Sequence, residues 1–225
     1  MVVPQAPWAL LLVLATLLAL PLSGCTAAPP TDGSGAVLAV SEDDAEATAD
    51  ALRARLEMAG WPWFTVENSG GAIKVRVGPL DATSRPLFER LVGAPLRLEG
   101  FVVGPEDADA ATPPLFTSDD VTEAHLEKVR GASRVHFTLD RPAARRLEEA
   151  TRQKTGGFLR AEFDGVALVH APLHEPLRGG LVRISLPDAA TGPGEVASQE
   201  LVIALRAPMP PSARLVRFEP WSETK

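Results

Sequence analysis

The sequence predicts an α+β fold, and three observations predict it. Stretches with apolar residues at helical spacing alternate along the chain with short runs in which apolar and polar residues alternate. Two tight-turn signals, Asn68-Ser69-Gly70-Gly71 and Asp164-Gly165, each lie between a pair of such runs, as in antiparallel hairpins. The 225 residues are 45% hydrophobic and 23% charged, which suits one or two packed domains and is too apolar for a disordered chain.

The elements follow in order. Trp8 to Leu20 is a 13-residue apolar run broken only by Thr16. It is too short to span a hydrocarbon core about 30 Å thick, which takes roughly 20 helical residues, and has the length of a secretory signal. Pro21-Leu22-Ser23-Gly24-Cys25 follows and resembles the lipobox of bacterial lipoproteins: an aliphatic residue, two small residues, then the cysteine that is lipidated. That resemblance implies residues 1–24 as a lipoprotein signal peptide, cleavage between Gly24 and Cys25, and acyl chains such as palmitate on the mature amino terminus. The departure is that residues 1–7 contain no Lys or Arg. Residues 25–35, rich in Pro, Gly and Ser, are expected to form a flexible tether.

Ala36–Val40 reads as a short buried strand. Ser41 is the expected N-cap of a helix, with Glu42, Asp43 and Asp44 in its first turn. Ala45, Ala49, Leu52, Leu56 and Ala59 carry its apolar face, with Arg53, Arg55 and Glu57 expected outward and Gly60 as its stop. A hairpin over 64–77, a second helix over about 81–92 and a strand over 96–103 complete the order of a ferredoxin-like half-sandwich. Residues 104–114 are acidic and Pro-rich, a surface connection.

Beyond that break Ser118 is expected to cap a short helix through about Val129. Arg134–Asp140 alternates as a strand with Val135, Phe137 and Leu139 on one face and His136 solvated on the other. Asp140 caps a helix through about Lys154, with Pro142 in its first turn. Strands at 159–163 and 166–169 flank Asp164-Gly165. A strand over 182–186, a helix over 195–205 and a strand over 215–218 close the chain.

Charge and chemistry narrow the function. The net charge of −7 and pI near 5.2 leave no positive field for a phosphate backbone, so no nucleic-acid partner is expected. A single cysteine excludes a disulfide framework and any Cys₄ or Cys₂His₂ metal site. His170 and His174 stand four apart, but Pro172 between them forbids the helix that would put both on one face. No nucleophile elbow, phosphate loop or zinc-helix motif is present. The expectation is a protein without enzymatic activity, cofactor or metal.

The stretch from Ala49 to Val103 resembles the first large periplasmic domain of SecD, a membrane component of the bacterial Sec export machinery. The places that carry the likeness are Leu52, Arg55, Leu56 and Gly60, then Val75 and Val77 before Gly78-Pro79, then Leu96 and Leu98. The second half resembles the head subdomain of that family at Val135, Phe137, Asp140, Asp164, Gly165, Pro172, Glu175, Pro176, Gly179 and Gly180. Pro208 stands where the family has Gly. The resemblance implies a ferredoxin-like base subdomain (36–104 and 207–221) with an inserted α+β head subdomain (115–206). It implies a SecD-like module without the family's transmembrane helices, facing secreted or unfolded polypeptides and Sec translocon components.

The expected function is therefore that of a non-catalytic, lipid-anchored periplasmic module that binds unfolded or translocating polypeptides, accessory to protein translocation. The alternative is an envelope assembly lipoprotein that docks a folded partner. Leu173, His174, Pro176 and Leu181 are the candidate polypeptide-binding residues, and Asp164, Gly165, Gly179 and Gly180 are expected to make structural turns. Thr26 after the cysteine favours the outer membrane as the site of the anchor.

Overall fold

The computed structural model of the protein describes residues 29–93, 96–104, 113–129, 132–186 and 193–222. The signal segment and Cys25 lie outside them.

The first unit is built on β1 (Asp32–Ala39), α1 (Ala45–Met58), β2 (Phe64–Asn68), β3 (Ala72–Val77) and α2 (Ser84–Gly93). Its fourth strand is the last of the chain, β11 (Arg214–Ser222), and the antiparallel sheet has the order β11-β1-β3-β2. Ala36, Leu38, Ile73, Val75 and Val77 point from alternate positions into a core closed by Leu52, Leu56, Phe88 and Val92 of the two helices. This is the ferredoxin-like arrangement, with the connection from α2 to the closing strand carrying the rest of the protein.

Within that connection lie β4 (Leu98–Val103), β5 (Phe116–Thr117), β6 (Val121–Val129), β7 (Ala132–Leu139), α3 (Arg141–Gln153), β8 (Phe158–Phe163), β9 (Val166–Pro172), β10 (Leu181–Ser185) and α4 (Pro193–Arg206). They make two small antiparallel sheets, β10-β7-β6 and β5-β4-β8-β9. One core serves both: Phe116, Val135, Phe137, Leu147 and Ile184 meet in it, with Leu201 and Leu205 of α4. A third, smaller cluster of Leu91, Leu96, Ile203 and Ala204 joins the two units, with Met58, Ala59 and Phe163 packed against it.

Several local expectations are corrected. The strand at 96–103 does not complete the first sheet. It begins at Leu98 and pairs with β8, and β11 takes the edge position beside β1. The tether ends earlier than Gly35, because Asp32–Gly35 already pair with Ser222–Glu219. The segment after Ser118 is no helix. Its start signal is real, since the Asp120 carboxylate accepts the Thr117 N–H at 2.8 Å, but only one 3₁₀ turn follows. Ala124 and Leu126 then face Phe137 and Val135 across a strand pair, and the core they reach outweighs the local helical pattern. The Ser118 hydroxyl instead accepts the Leu98 N–H at 2.7 Å.

Helix α1 also begins later than Ser41 suggests. Asp44 is its N-cap, and the Ser41 and Ser212 hydroxyls donate to the Asp44 carboxylate at 2.9 and 2.6 Å. Its end is as expected. Gly60 at φ 74° donates to Glu57 O and Trp61 N–H to Leu56 O, the paired bonds of a Schellman motif. Helix α3 starts on Asp140, whose carboxylate accepts the Ala143 N–H at 2.8 Å.

Candidate functional site

The residues singled out for polypeptide contact fall on both sides of the protein surface. The chain leaves β9 at Pro172 and crosses the end of α3. Leu173 is only 4% exposed and belongs to the larger core, its backbone exchanging bonds of 2.8 Å with Gly156 and Gly157. It cannot line a groove, a correction that follows from its inward direction. His174 is exposed and Pro176 half-buried, and Leu177 N–H donates to the buried Thr151 hydroxyl at 3.0 Å. Leu181 is 45% exposed at the start of β10. Across the Asp164-Gly165 turn, Val166 is 67% exposed on β9, the free edge of its sheet. The accessible members of the region are thus His174, Pro176 and Leu181, with Val166 added.

The glycines there have mechanical reasons. Asp164 and Gly165 take φ of 50° and 76°, the pair of positive values a type I′ hairpin requires. The Asp164 carboxylate also accepts the Arg97 N–H at 2.8 Å, tying the hairpin tip to the chain between the units. Gly179 and Gly180 both have positive φ, and a Cβ on Gly180 would stand 2.6 Å from Ala144 Cβ.

Two charged groups at the joint were not legible as such. Arg55, expected outward, is completely buried. Its Nε donates to Ala207 O at 2.8 Å and its Nη1 to Leu91 O at 2.9 Å, so one guanidinium holds the carboxyl-terminal ends of α2 and α4 together. Burial pulls its pKa down to about 10, opposed by the Asp164 charge, and it remains a cation at neutral pH. Beside it Arg90 of α2 makes a two-bond pair with Glu200 of α4, at 2.8 and 2.6 Å. That pair raises the Arg90 pKa, and Glu200 is itself buried.

His136, expected in solvent, is 8% exposed. Its ring stacks on His125 at 4.9 Å, and its Nε2 lies 2.8 Å from a Glu127 carboxylate oxygen. The His170 ring lies 4.5 Å from that of Phe158. Among the described residues no group of three or more His, Cys, Asp or Glu is placed to hold a metal ion.

An apolar groove lies elsewhere, at the end of the first sheet where β1 begins and β3 ends. Its volume is about 460 Å³, and Pro30, Trp61, Pro62, Trp63, Pro79 and Leu80 line it. Beside it Trp221 stacks on Trp63 at 5.3 Å and donates its indole N–H to Val77 O at 2.9 Å. The space for that indole exists because position 33 is glycine: a Cβ there would stand 2.8 Å from Trp221 Nε1 and collide with Val77 O.

This arrangement of a ferredoxin-like unit with a two-sheet unit inserted before its last strand recurs in solved structures. One, described as a structure of the membrane component SecDF that enhances protein export, superposes with a TM-score of 0.64 at 20% identity. The match covers 81% of this chain and 98% of that one. The fold is SecDF-like. A second SecDF structure, in a super-membrane-facing form, gives a TM-score of 0.66 at 20% identity over 84% of this chain, which spans 30% of that protein's length. No protein-family model and no curated protein sequence matches the chain. Among the described residues of this SecDF-like chain no helix is long and apolar enough to cross a membrane.

Proposed function

We propose that the protein is a non-catalytic, lipid-anchored SecDF-like module that binds unfolded or translocating polypeptides outside the cytoplasmic membrane and assists protein export. The observation that carries this reading is the shared fold, which extends over four-fifths of this chain and nearly the whole of a chain from a protein described as enhancing export. The lipobox at Leu22–Cys25 supplies the anchor in this reading. The contact region is the exposed part of the second unit around Val166, His174, Pro176 and Leu181. An apolar side chain beside a free strand edge suits an extended chain, which brings both backbone donors and alternating side chains.

The test places a photo-crosslinking residue at His174 or Leu181 and arrests a secreted protein during its export. Crosslinks to the emerging polypeptide are expected from both positions. Absence of any polypeptide crosslink overturns the reading. A single stoichiometric folded partner in place of many clients would mark the protein as a docking lipoprotein instead.

A further inference from the structure

All the tryptophans among the described residues, Trp61, Trp63 and Trp221, gather at one end of the first sheet. The register shows which end this is: Asp32 faces Ser222, and Phe64 and Ser34 both face Val77. It is therefore where the described chain enters β1, and Pro30, immediately before β1, lines the groove. Every residue lining that groove is uncharged, and Pro62 and Pro79 are exposed. A second, more polar depression of about 460 Å³, lined also by Asp32 and Arg85, continues the surface past the shared Pro79 and Leu80 to Trp221. Trp61, Trp63, Leu80 and Trp221 are half-buried, so each side chain is held by the unit while part of its apolar surface stays accessible at the strand ends, as at an interaction site.

The position of the anchor says what covers it. Pro30 is five residues from Cys25, a span of about 17 Å at full extension. A lipid on Cys25 therefore holds this end of the sheet within reach of the bilayer surface, where even a weak affinity is satisfied by the high local concentration. Tryptophan is the side chain that favours the layer between headgroups and acyl chains, with an apolar body and one polar N–H. The protein is acidic overall, so attraction to anionic headgroups does not supply the contact, and burial of the rings does.

We propose that the face formed by Trp61, Trp63, Trp221, Pro62, Pro79 and Leu80 seats in the interfacial layer of the membrane that carries the Cys25 lipid. This deepens the anchored reading and rests on it.

The sequence provides its own probe. In a Trp8→Phe chain the indole emission comes only from Trp61, Trp63 and Trp221. The Trp8→Phe protein, expressed from the full sequence, purified from membranes as the cell processes it and reconstituted into phosphatidylethanolamine–phosphatidylglycerol vesicles, is measured with and without lipids brominated near the headgroup end of the acyl chains. The expected result is quenching of about twofold or more, unchanged when salt rises to about 1 M. Adding Pro62→Glu and Pro79→Glu, both at exposed positions, is expected to abolish the quenching while far-UV circular dichroism stays unchanged. The mass of the amino-terminal peptide tests the anchor separately. A lipidated chain without quenching overturns the membrane seat and leaves the anchor standing. An unlipidated chain without quenching overturns both. Quenching that survives the two glutamates also overturns the proposal, because the rings would then lie elsewhere, for example against an acyl chain folded into the groove.

Discussion

Replacing Arg55 with Met keeps the length and apolar stem of the side chain and removes the bonds to Leu91 and Ala207. The Leu91 and Ala207 carbonyls would then be buried without their donor, and a loss of about 3 kcal/mol in urea unfolding is expected. Lysine should recover only part of it, since an ammonium cannot reproduce the planar fork that reaches two carbonyls. Gly33→Ala is the second informative change. Its methyl would collide with the Val77 carbonyl and press on the Trp221 ring, so a cost of about 2 kcal/mol is expected, with red-shifted tryptophan emission as Trp221 is displaced. Neither effect was legible in the sequence. Arg55 sits in a helical pattern whose spacing allows an outward arginine, and only the approach of two other helix ends gives it a reason to be inside.

At the scale of elements, the turn leading into α2 is held by Asp81, whose carboxylate accepts the Thr83 and Ser84 N–H groups at 2.9 and 2.6 Å and the Ser84 hydroxyl at 2.7 Å. Those bonds, the Ser84 hydroxyl first, lower the Asp81 pKa below the usual carboxylate range. A lowered folded-state pKa stabilises the protein above about pH 4 and ceases to do so as pH falls through the folded value. Asp81→Asn should therefore melt lower than the wild type at neutral pH and at the same temperature in acid, as followed by circular dichroism. The Arg90–Glu200 pair ties α2 to α4. Arg90→Ala leaves a buried carboxylate unpaired, and a loss of about 2 kcal/mol is expected, recovered in large part by adding Glu200→Met. The misread of β6 belongs to this scale as well. Its nine residues follow a helix-start signal at Thr117–Asp120 and show no strict alternation, and pairing with β7 decides their conformation.

Over the whole molecule, the two units share more than a linker. Leu91 and Leu96 meet Ile203 and Ala204 in an apolar joint reinforced by Arg55 and by the Arg90–Glu200 pair. Tryptophan emission reports on the first unit and far-UV circular dichroism on both, and the two urea transitions are expected to coincide. Ile203→Ala should lower the midpoint by an amount equivalent to about 2–3 kcal/mol and separate the two curves. Local signals alone were enough to specify the turns and most helices: glycine and Asp-Gly at positive φ, the Asp140 cap, the Gly60 stop and the alternating face of β7 each act within a few residues. The contact region was legible only in part. Leu173 and Leu181 look alike in sequence, and which one turns inward depends on the course of the chain across α3. Why Arg55 and His136 are buried and where Trp63 meets Trp221 were decided by the tertiary structure. Each depends on partners far apart along the chain, and no local pattern encodes the cost or gain of bringing them together.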